Sequence, residues 1–334
     1  MRFAVIGAGM AGLACADALV AAGHEVELFD KGRGAGGRMS TRRWQTPLGE
    51  VTLDHGAQYF TARDAAFRQL VRVWAGTGIA APWPPGGDDA WVGIPGMNAV
   101  IRQMASSHRV SWAWLVKHLE RRDGQWHLAG ARGPAGPYDA VVLAIPAEQA
   151  VPLLALHDFA MMRAALNARS QPCWTGMFVF DRPLGGLPPV IRGQGALAWA
   201  ARNSAKPGRP EPETWVVQAS AQWSGERIEH APEEVAELLL AALASATASP
   251  VPDPVAAAAH RWRYALSAGT GDGALWNGDI GLGACGDWLL GPRVECAWLS
   301  GRDLARQCLA TACGAPLARG ATARDGPTYT KGHV

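Results

Sequence analysis

The chain of 334 residues is 49% apolar and 18% charged, which at roughly 150 residues per domain suggests two domains, or one nucleotide domain with a large insertion. Its 31 basic and 29 acidic residues leave a net charge of +2, so there is no electrostatic case for a nucleic-acid partner. No run of about 18 apolar residues occurs, so no membrane span is expected.

Arg2–Ile6 is a short apolar run that reads as a strand, too short for the apolar region of a signal peptide. It leads into Gly7-Ala8-Gly9-Met10-Ala11-Gly12, a G-x-G-x-x-G. Leu13 to Ala22 then reads as an alanine-rich helix closed by Gly23, and Glu25–Phe29 as a second strand ending at Asp30. Strand, glycine turn, helix, strand and acid follow the order of a dinucleotide-binding βαβ unit. Gly7 permits the tight turn, Gly9 lets backbone approach a pyrophosphate, and Gly12 lets the helix pack on the sheet. The helix N-terminus offers free N–H groups to phosphate. Asp30 stands about 20 residues beyond the glycines, where an acid can accept ribose hydroxyls.

A second glycine-rich, basic segment follows, from Lys31 to Thr41. Gly36 and Gly37 allow backbone contact there, and Arg38 can donate to a phosphate. Val51–Phe60 reads as a strand entering a glycine turn. Gly56 and Ala57 would let backbone come close to a planar ring, with Gln58 reaching its polar edge. Apolar residues at 67, 70, 71 and 74 predict a helix from Asp64, with Thr61 as its cap. Ala75–Asp89 is Gly- and Pro-rich and reads as a loop; a helix is expected from Asn98 to about Ser106.

Val110–Leu119, Gln125–Ala129 and Ala140–Ile145 are strand-like, split by Asp123-Gly124, a hairpin signal, and by Gly133-Pro134. Strands at 172–180, 196–201 and 215–219 and a helix at 232–248 suggest a mostly antiparallel region. Lys206-Pro207-Gly208-Arg209-Pro210 reads as a surface turn. Ile280–Trp288 is a strand ending in Gly286-Asp287, and Val294 enters a helix ending near Cys313. The tail beyond Gly314 reads as loose.

Six cysteines, Cys15, Cys173, Cys285, Cys296, Cys308 and Cys313, form no C-x-x-C and are expected to be reduced. No metal-site motif, G-x-S-x-G or G-K-[ST] is present. The nine histidines are scattered, with only His55 and His260 in motif-bearing segments.

Five segments in order, G-A-G-M-A-G, G-R-G-A-G-G-R-M-S-T-R, D-H-G-A-Q-Y-F-T-A-R-D, I-P-G-M-N and G-D-W…V-E-x-A-W-x-S-G, together span about residues 1–312. They resemble the renalase-like flavoproteins of the flavin amine oxidase superfamily. The resemblance implies an α/β (α+β) fold, a Rossmann-like FAD-binding domain with an inserted, mostly antiparallel substrate domain, in amine-oxidase/p-hydroxybenzoate hydroxylase-like topology. Residues 1–70, 100–150 and 270–315 would form the first domain, 71–99 and 151–269 the second, and 316–334 a flexible tail.

The resemblance further implies FAD held by Gly7, Gly9, Ala11, Gly12, Asp30, Lys31, Gly37, Arg38, His55, Gly56, Ala57, Gln58, Val116, Gly286, Asp287, Val294, Glu295 and Ala297. Some relatives attach the flavin to a late cysteine. Cys296 is the candidate by position, but a packed thiol and non-covalent FAD are the preferred reading. Substrate contacts would come from Gln58, Tyr59, Thr61, Arg63, Pro95, Gly96 and Met97, with an aromatic wall from Trp174 or Trp288.

The implied activity is oxidation of the 2- and 6-dihydro isomers of NAD(P) to NAD(P)⁺. Hydride passes to flavin N5, and dioxygen is reduced to hydrogen peroxide. Aromatisation drives the step, so no catalytic acid or base is assigned. An amine or porphyrinogen-type oxidase and a non-catalytic FAD-binding protein are the other two classes. The expected location is cytoplasmic.

Overall fold

The computed structural model describes residues 1–209, 211–247 and 250–312. Five parallel strands form one sheet: β1 (Arg2–Ile6), β2 (Glu25–Phe29), β8 (Arg109–Ser111), β12 (Ala140–Leu143) and β19 (Leu282–Ala284). The antiparallel β18 (Leu275–Asn277) closes one edge, in the order β18-β19-β12-β1-β2-β8. Phe3, Ala4 and Val5 are fully buried, as a central parallel strand covered on both faces requires.

Helix α1 (Met10–Ala21) connects β1 to β2 and begins at Met10 rather than Leu13. Apart from Asp17, which pairs with His108, it is apolar all round because the sheet lies against one side and α9 (Val294–Ala312) against the other. At Gly301, α9 comes so near that a Cβ would stand 2.1 Å from the Ala11 carbonyl oxygen.

An antiparallel sheet of β9 (Val116–Arg122), β10 (Gln125–Gly130) and β11 (Gly133–Tyr138) follows. Asp123 and Gly124, at φ 50° and 80°, make the predicted hairpin turn. Val110–Leu119 is not one strand. Ser111 ends β8, and Ala113, at φ 55°, redirects the chain into β9. Gly133-Pro134 is no break either; it lies in β11, an edge strand, where a missing proline N–H is tolerated.

The third sheet contains β13 (Ser170–Phe180), β14 (Val190–Arg192), β15 (Trp199–Arg202), β16 (Glu213–Gln218) and β17 (Ala256–Ser267). All pairings are antiparallel, in the order β14-β15-β16-β13-β17. Alternation divides its two faces. Trp174, Phe178 and Phe180 point, with Trp215 and Val217, toward α7 (Pro232–Ser245). Met177, Val179 and Val216 meet Val51 and Leu53 of a hairpin made by β3 (Thr41–Thr46) and β4 (Gly49–Asp54).

The remaining elements knit these layers. β5 (Phe60–Thr61), β6 (Ala80–Pro82) and β7 (Ala90–Gly93) form a small sheet, so the stretch read as a loop holds a strand. Asp64, not Thr61, caps α2 (Ala65–Gly76), accepting from the Ala66 and Phe67 N–H groups at 2.9 and 3.0 Å. α3 (Asn98–Ala105) follows β7. α4 (Ala147–Leu154), α5 (Phe159–Asn167), α6 (Ala221–Glu226) and α8 (Asp287–Leu290) complete the described chain.

Among the described residues no helix is long and apolar enough to cross a membrane. The tail at 316–334 and Cys313 lie outside the described residues.

Gly301→Ala should cost about 1–3 kcal/mol, because the added methyl meets backbone that cannot yield. Gly76→Ala, where no atom lies within 4 Å of the new Cβ, should be neutral or stabilising. Denaturant midpoints of the two variants check the contrast.

Candidate active site

The glycine turn after β1 is built by exclusion. A Cβ on Gly7 would stand 2.3 Å from the Ala144 carbonyl oxygen, and one on Gly12 1.9 Å from that of Gly7. At Gly9, by contrast, nothing lies within 4 Å of the missing Cβ. Gly9 opens α1, whose first turn has no side-chain cap and no acidic residue. An open approach to an uncapped helix N-terminus fits a dinucleotide pyrophosphate.

Asp30 stitches the neighbouring loops. Its carboxylate accepts from the Ala8 N–H at 2.8 Å and the Gly32 N–H at 2.6 Å. The Asp30 carbonyl accepts from Trp114 N, and Gly32 O from Ala113 N, which draws the chain leading into Val116 up to Asp30 and Lys31. Gly37 also has open space at its missing Cβ.

Arg38 does not stand free for a phosphate. It makes a two-pronged pair with Asp287, at 2.8 and 2.6 Å. The Gly286 N–H donates to Ser300 Oγ, which donates to Gly273 O. Glu295 is 1% exposed and accepts from the Arg63 and Asp64 N–H groups at 2.6 and 2.5 Å, beside Arg293 at 2.7 Å. It thereby fixes the start of α2 on α9. Val294 and Ala297 lie in the same first turn of α9.

The centre of the site is Asp54, fully buried at the end of β4. One carboxylate oxygen accepts from Thr41 Oγ1 at 2.7 Å and Met97 N at 2.9 Å. The other accepts from Lys206 Nζ at 3.2 Å and Arg209 at 2.5 Å. Burial pushes the Asp54 pKa up, but the two cations and the hydrogen bonds outweigh it and hold the group at about 2. Burial likewise lowers Lys206, to about 8, with Asp54 opposing the shift.

The segment read as a surface turn is therefore interior: Lys206 is 2% and Arg209 8% exposed. Its Pro and Gly content resembled a solvent loop, and nothing local in the sequence shows that Asp54 receives its charges. Asn203 was missed for the same reason; it accepts from Asp54 N and donates to Thr52 O.

Gln58 belongs to this network rather than to a ligand edge. Its amide donates to the carbonyls of Asp54 and Gly56 at 2.5 and 3.1 Å and accepts from Lys206 at 3.1 Å. Gly56 is required by a different neighbour from the one expected. A Cβ there would stand 2.1 Å from the Arg38 carbonyl oxygen, which also accepts from Ala57 N. The two flavoprotein-like segments thus pack directly on each other.

One face of the five-stranded sheet meets the loop at 55–59. Arg192, Trp199, Gln218, Thr175 and His260 are direct cross-strand partners and form one row across all five strands. Gln218 donates to Gly56 O at 2.8 Å. His55 packs edge-on against His260 at 4.9 Å and stacks on Trp262 at 5.3 Å, whose indole N–H donates to His55 O. Burial first, then His260 and Arg42, lower His55 to about 4. Tyr59 meets Trp199 at 5.4 Å and Trp83 at 6.1 Å. Cations lie on both indoles, Arg192 over Trp199 at 4.6 Å and Lys206 over Trp83 at 5.4 Å.

Two expected walls are elsewhere. Trp174 is fully buried on the α7 face of β13, opposite to Thr175, and its indole N–H donates to Arg227 O. Trp288 is 1% exposed in the core under the parallel sheet and donates to Ile145 O. The tryptophans that face the loop are Trp83, Trp199 and Trp262, none of them expected; Tyr59, which was expected, is the loop residue that meets two of them.

Met97 is fully buried with Sδ against Gly93 N, so its side chain is core; Gly96 packs on Thr41. Pro95 is exposed, Thr61 lies in β5, and Arg63 pairs with Asp89 at 2.7 Å. Cys296 is buried in the first turn of α9, and burial raises its thiol pKa.

This nucleotide cradle, joined to an antiparallel sheet across a polar hub, defines a two-part oxidoreductase fold. Residues 5–74 match the NAD(P)-binding Rossmann-like domain, and residues 85–309 match the flavin containing amine oxidoreductase family. The chain belongs to that family and is a flavin-dependent oxidoreductase.

It is 25% identical to renalase from Mus musculus, over 79% of this chain and 84% of that protein. Its fold is similar to that of cyclohexylamine oxidase from Brevibacterium oxydans, with a TM-score of 0.71 at 12% identity, over 92% and 98% of the two chains. A double mutant of putrescine oxidase gives 0.62 at 14% identity, over 93% and 99%.

Asp54→Asn should destabilise the fold by about 3–5 kcal/mol, since it leaves two buried cations uncompensated. The acid limb of stability divides into two windows. Asp54 at about 2 lies below the unfolded value of about 3.9, so its stabilisation is complete above pH ~4 and lost toward pH ~2. His55 at about 4 lies below the unfolded value of about 6.5. The unfolded chain therefore takes up that proton first, and stability falls from pH ~6.5 to ~4. In melting-temperature profiles, His55→Asn should make the upper window shallower and leave the lower one unchanged; His260, which burial also lowers, keeps part of the upper window.

Proposed function

We propose that the protein binds FAD non-covalently and oxidises the 2- and 6-dihydro isomers of NAD(P) to NAD(P)⁺. Bound FAD would supply a two-electron acceptor that returns its electrons to dioxygen as hydrogen peroxide. The residues present fit the cofactor. Gly7, Gly9 and Gly12 with the first turn of α1 would take the pyrophosphate, with Asp30, Lys31 and Val116 beside the ribose and adenine. Gly37, the Arg38–Asp287 pair and the 55–58 loop would meet the rest.

The observation that carries the substrate class is the cation laid on the aromatic cluster, Arg192 on Trp199, with which no carboxylate among the described residues pairs; Lys206 near Trp83 is compensated by Asp54. Fixed positive charge there repels an ammonium substrate and favours a planar ring with anionic substituents. The renalase similarity over most of the chain supports the same reading.

The protein's part is orientation. The carboxylate nearest the motif, Asp54, is consumed by four donors, and His55 is neutral at pH 7. Aromatisation of the nicotinamide needs no strong base, so neither group has to move a proton. Hydride transfer requires the donor carbon within about 3–3.5 Å of its acceptor. A site that grips the ring by its amide and ribose presents one edge. Positions 2 and 6 flank the ring nitrogen and exchange by a ring flip, whereas position 4 lies opposite.

Acid precipitation should therefore leave the yellow colour in the supernatant. In anaerobic stopped flow, 2- and 6-dihydro-NAD(P) should bleach the flavin fast and ordinary 4-dihydro-NAD(P)H slowly. Faster reduction by a simple amine, which the family and its structural neighbours make the second reading, would overturn the proposed substrate.

A further inference from the structure

We propose that Arg192 is the specificity residue that receives the pyrophosphate of the nicotinamide substrate, at the outer end of a stack that begins at the loop following Gln58. This rests on the dihydronicotinamide reading for the identity of the substrate. The charge and geometry of the stack stand apart from it.

Tyr59 is the first residue beyond the glycine loop and lies 5.4 Å from Trp199; the Arg192 guanidinium lies 4.6 Å above the same indole. The three side chains come from the 55–59 loop, β15 and β14. They run from the cofactor loop to an edge strand, and Arg192 is solvent-exposed there. A nicotinamide ring at the inner end would carry its ribose and phosphates toward Arg192.

Arg192 is held but not neutralised. One terminal nitrogen donates to Gly86 O at 3.2 Å, and Trp199 supports its face. Among the described residues no carboxylate forms an ion pair with it, in contrast to Arg38, Arg63, Arg202 and Arg209. A guanidinium has five N–H donors in a planar fork suited to phosphate, and stacking on an aromatic face fixes that plane without using the donors. Four remain for an anion. The cofactor's own pyrophosphate is provided for elsewhere, at the uncapped start of α1.

The test is calorimetric binding to the flavin-loaded protein, with NAD⁺ and nicotinamide riboside as probes, in wild type, Arg192→Gln and Arg192→Lys. Arg192→Gln should weaken NAD⁺ about 10- to 100-fold, the effect of losing a charge-assisted pair, and leave the riboside unchanged. Arg192→Lys should be intermediate, since an ammonium cannot make the fork. Added salt should weaken NAD⁺ binding in wild type more than in Arg192→Gln.

Equal loss for both probes would mean that Arg192 serves only to pack Trp199. No loss for either, or no NAD⁺ binding by wild type, would equally overturn the proposal. So would weaker FAD retention in Arg192→Gln, which would assign the residue to the cofactor. Turnover of the dihydro isomers is measured separately. If it is absent while NAD⁺ binding still depends on Arg192, the reaction is wrong and the anion contact stands.

Discussion

The molecule is organised around one buried carboxylate. Asp54 receives Thr41 from β3, the backbone of Met97, and both cations of the 206–209 segment. The β3–β4 hairpin and two segments distant from it in sequence meet on two oxygens. Such a cluster is a weak source of net stability, because desolvation offsets most of the attraction. Its value is in register. Breaking any contact leaves a charge buried, so the β3–β4 hairpin, the loop before α3 and the 203–209 segment have one low-energy arrangement. Through Gln58, bonded to Lys206 and to the carbonyls of Asp54 and Gly56, that rigidity reaches the loop that packs on Arg38.

The two ends of the site are built by opposite means. At the nucleotide end, binding capacity comes from missing side chains: Gly9 leaves room, and α1 lacks any group of its own to cap its first turn. This works only if α1 is held rigidly. Gly301 allows α9 to lie directly on the Ala11 carbonyl. At the other end, the sheet presents a row of polar and aromatic side chains, and Gln218, His260 and Trp199 each take one residue of the 55–59 loop. The loop is clamped between backbone on one side and side chains on the other.

What the sequence disclosed follows from the range of the forces involved. The βαβ unit, the Asp123-Gly124 hairpin and the late helix were legible because their signals are local: glycine spacing, positive φ, apolar periodicity. The 206–209 segment was misread because its meaning lies in an anion some 150 residues away in sequence. Trp174 and Trp288 were misplaced for a related reason. Trp288 lies in the short helix α8, whose burial under the parallel sheet no local signal shows; a tryptophan in a strand, such as Trp174, states that it is buried, but not on which face. The face is decided by the pairing of β13 with β16 and β17, which is non-local. Asp30, Arg38, Gln58 and Asp287 show a subtler limit. They were expected to meet a ligand, and in the folded chain their polar atoms bond protein partners.

That last pattern bears on chemistry. A site that must supply a proton keeps a titratable group unsatisfied and near neutrality. Here Asp54 is ionised and saturated and Gln58 is bonded at both ends, while His55 is neutral and packed between aromatic neighbours with its Nδ1 unpartnered. The flavin family supplies the redox agent, and Lys206, the group held nearest neutrality at about 8, is bonded to Asp54 and Gln58, so a substrate whose oxidation yields an aromatic ring and needs no strong base suits this frame. Arg192, which pairs with no carboxylate among the described residues, lies on the Trp199 face, whereas Lys206 near Trp83 is compensated by Asp54; on the proposed reading the Arg192 charge would sort substrates by sign and shape.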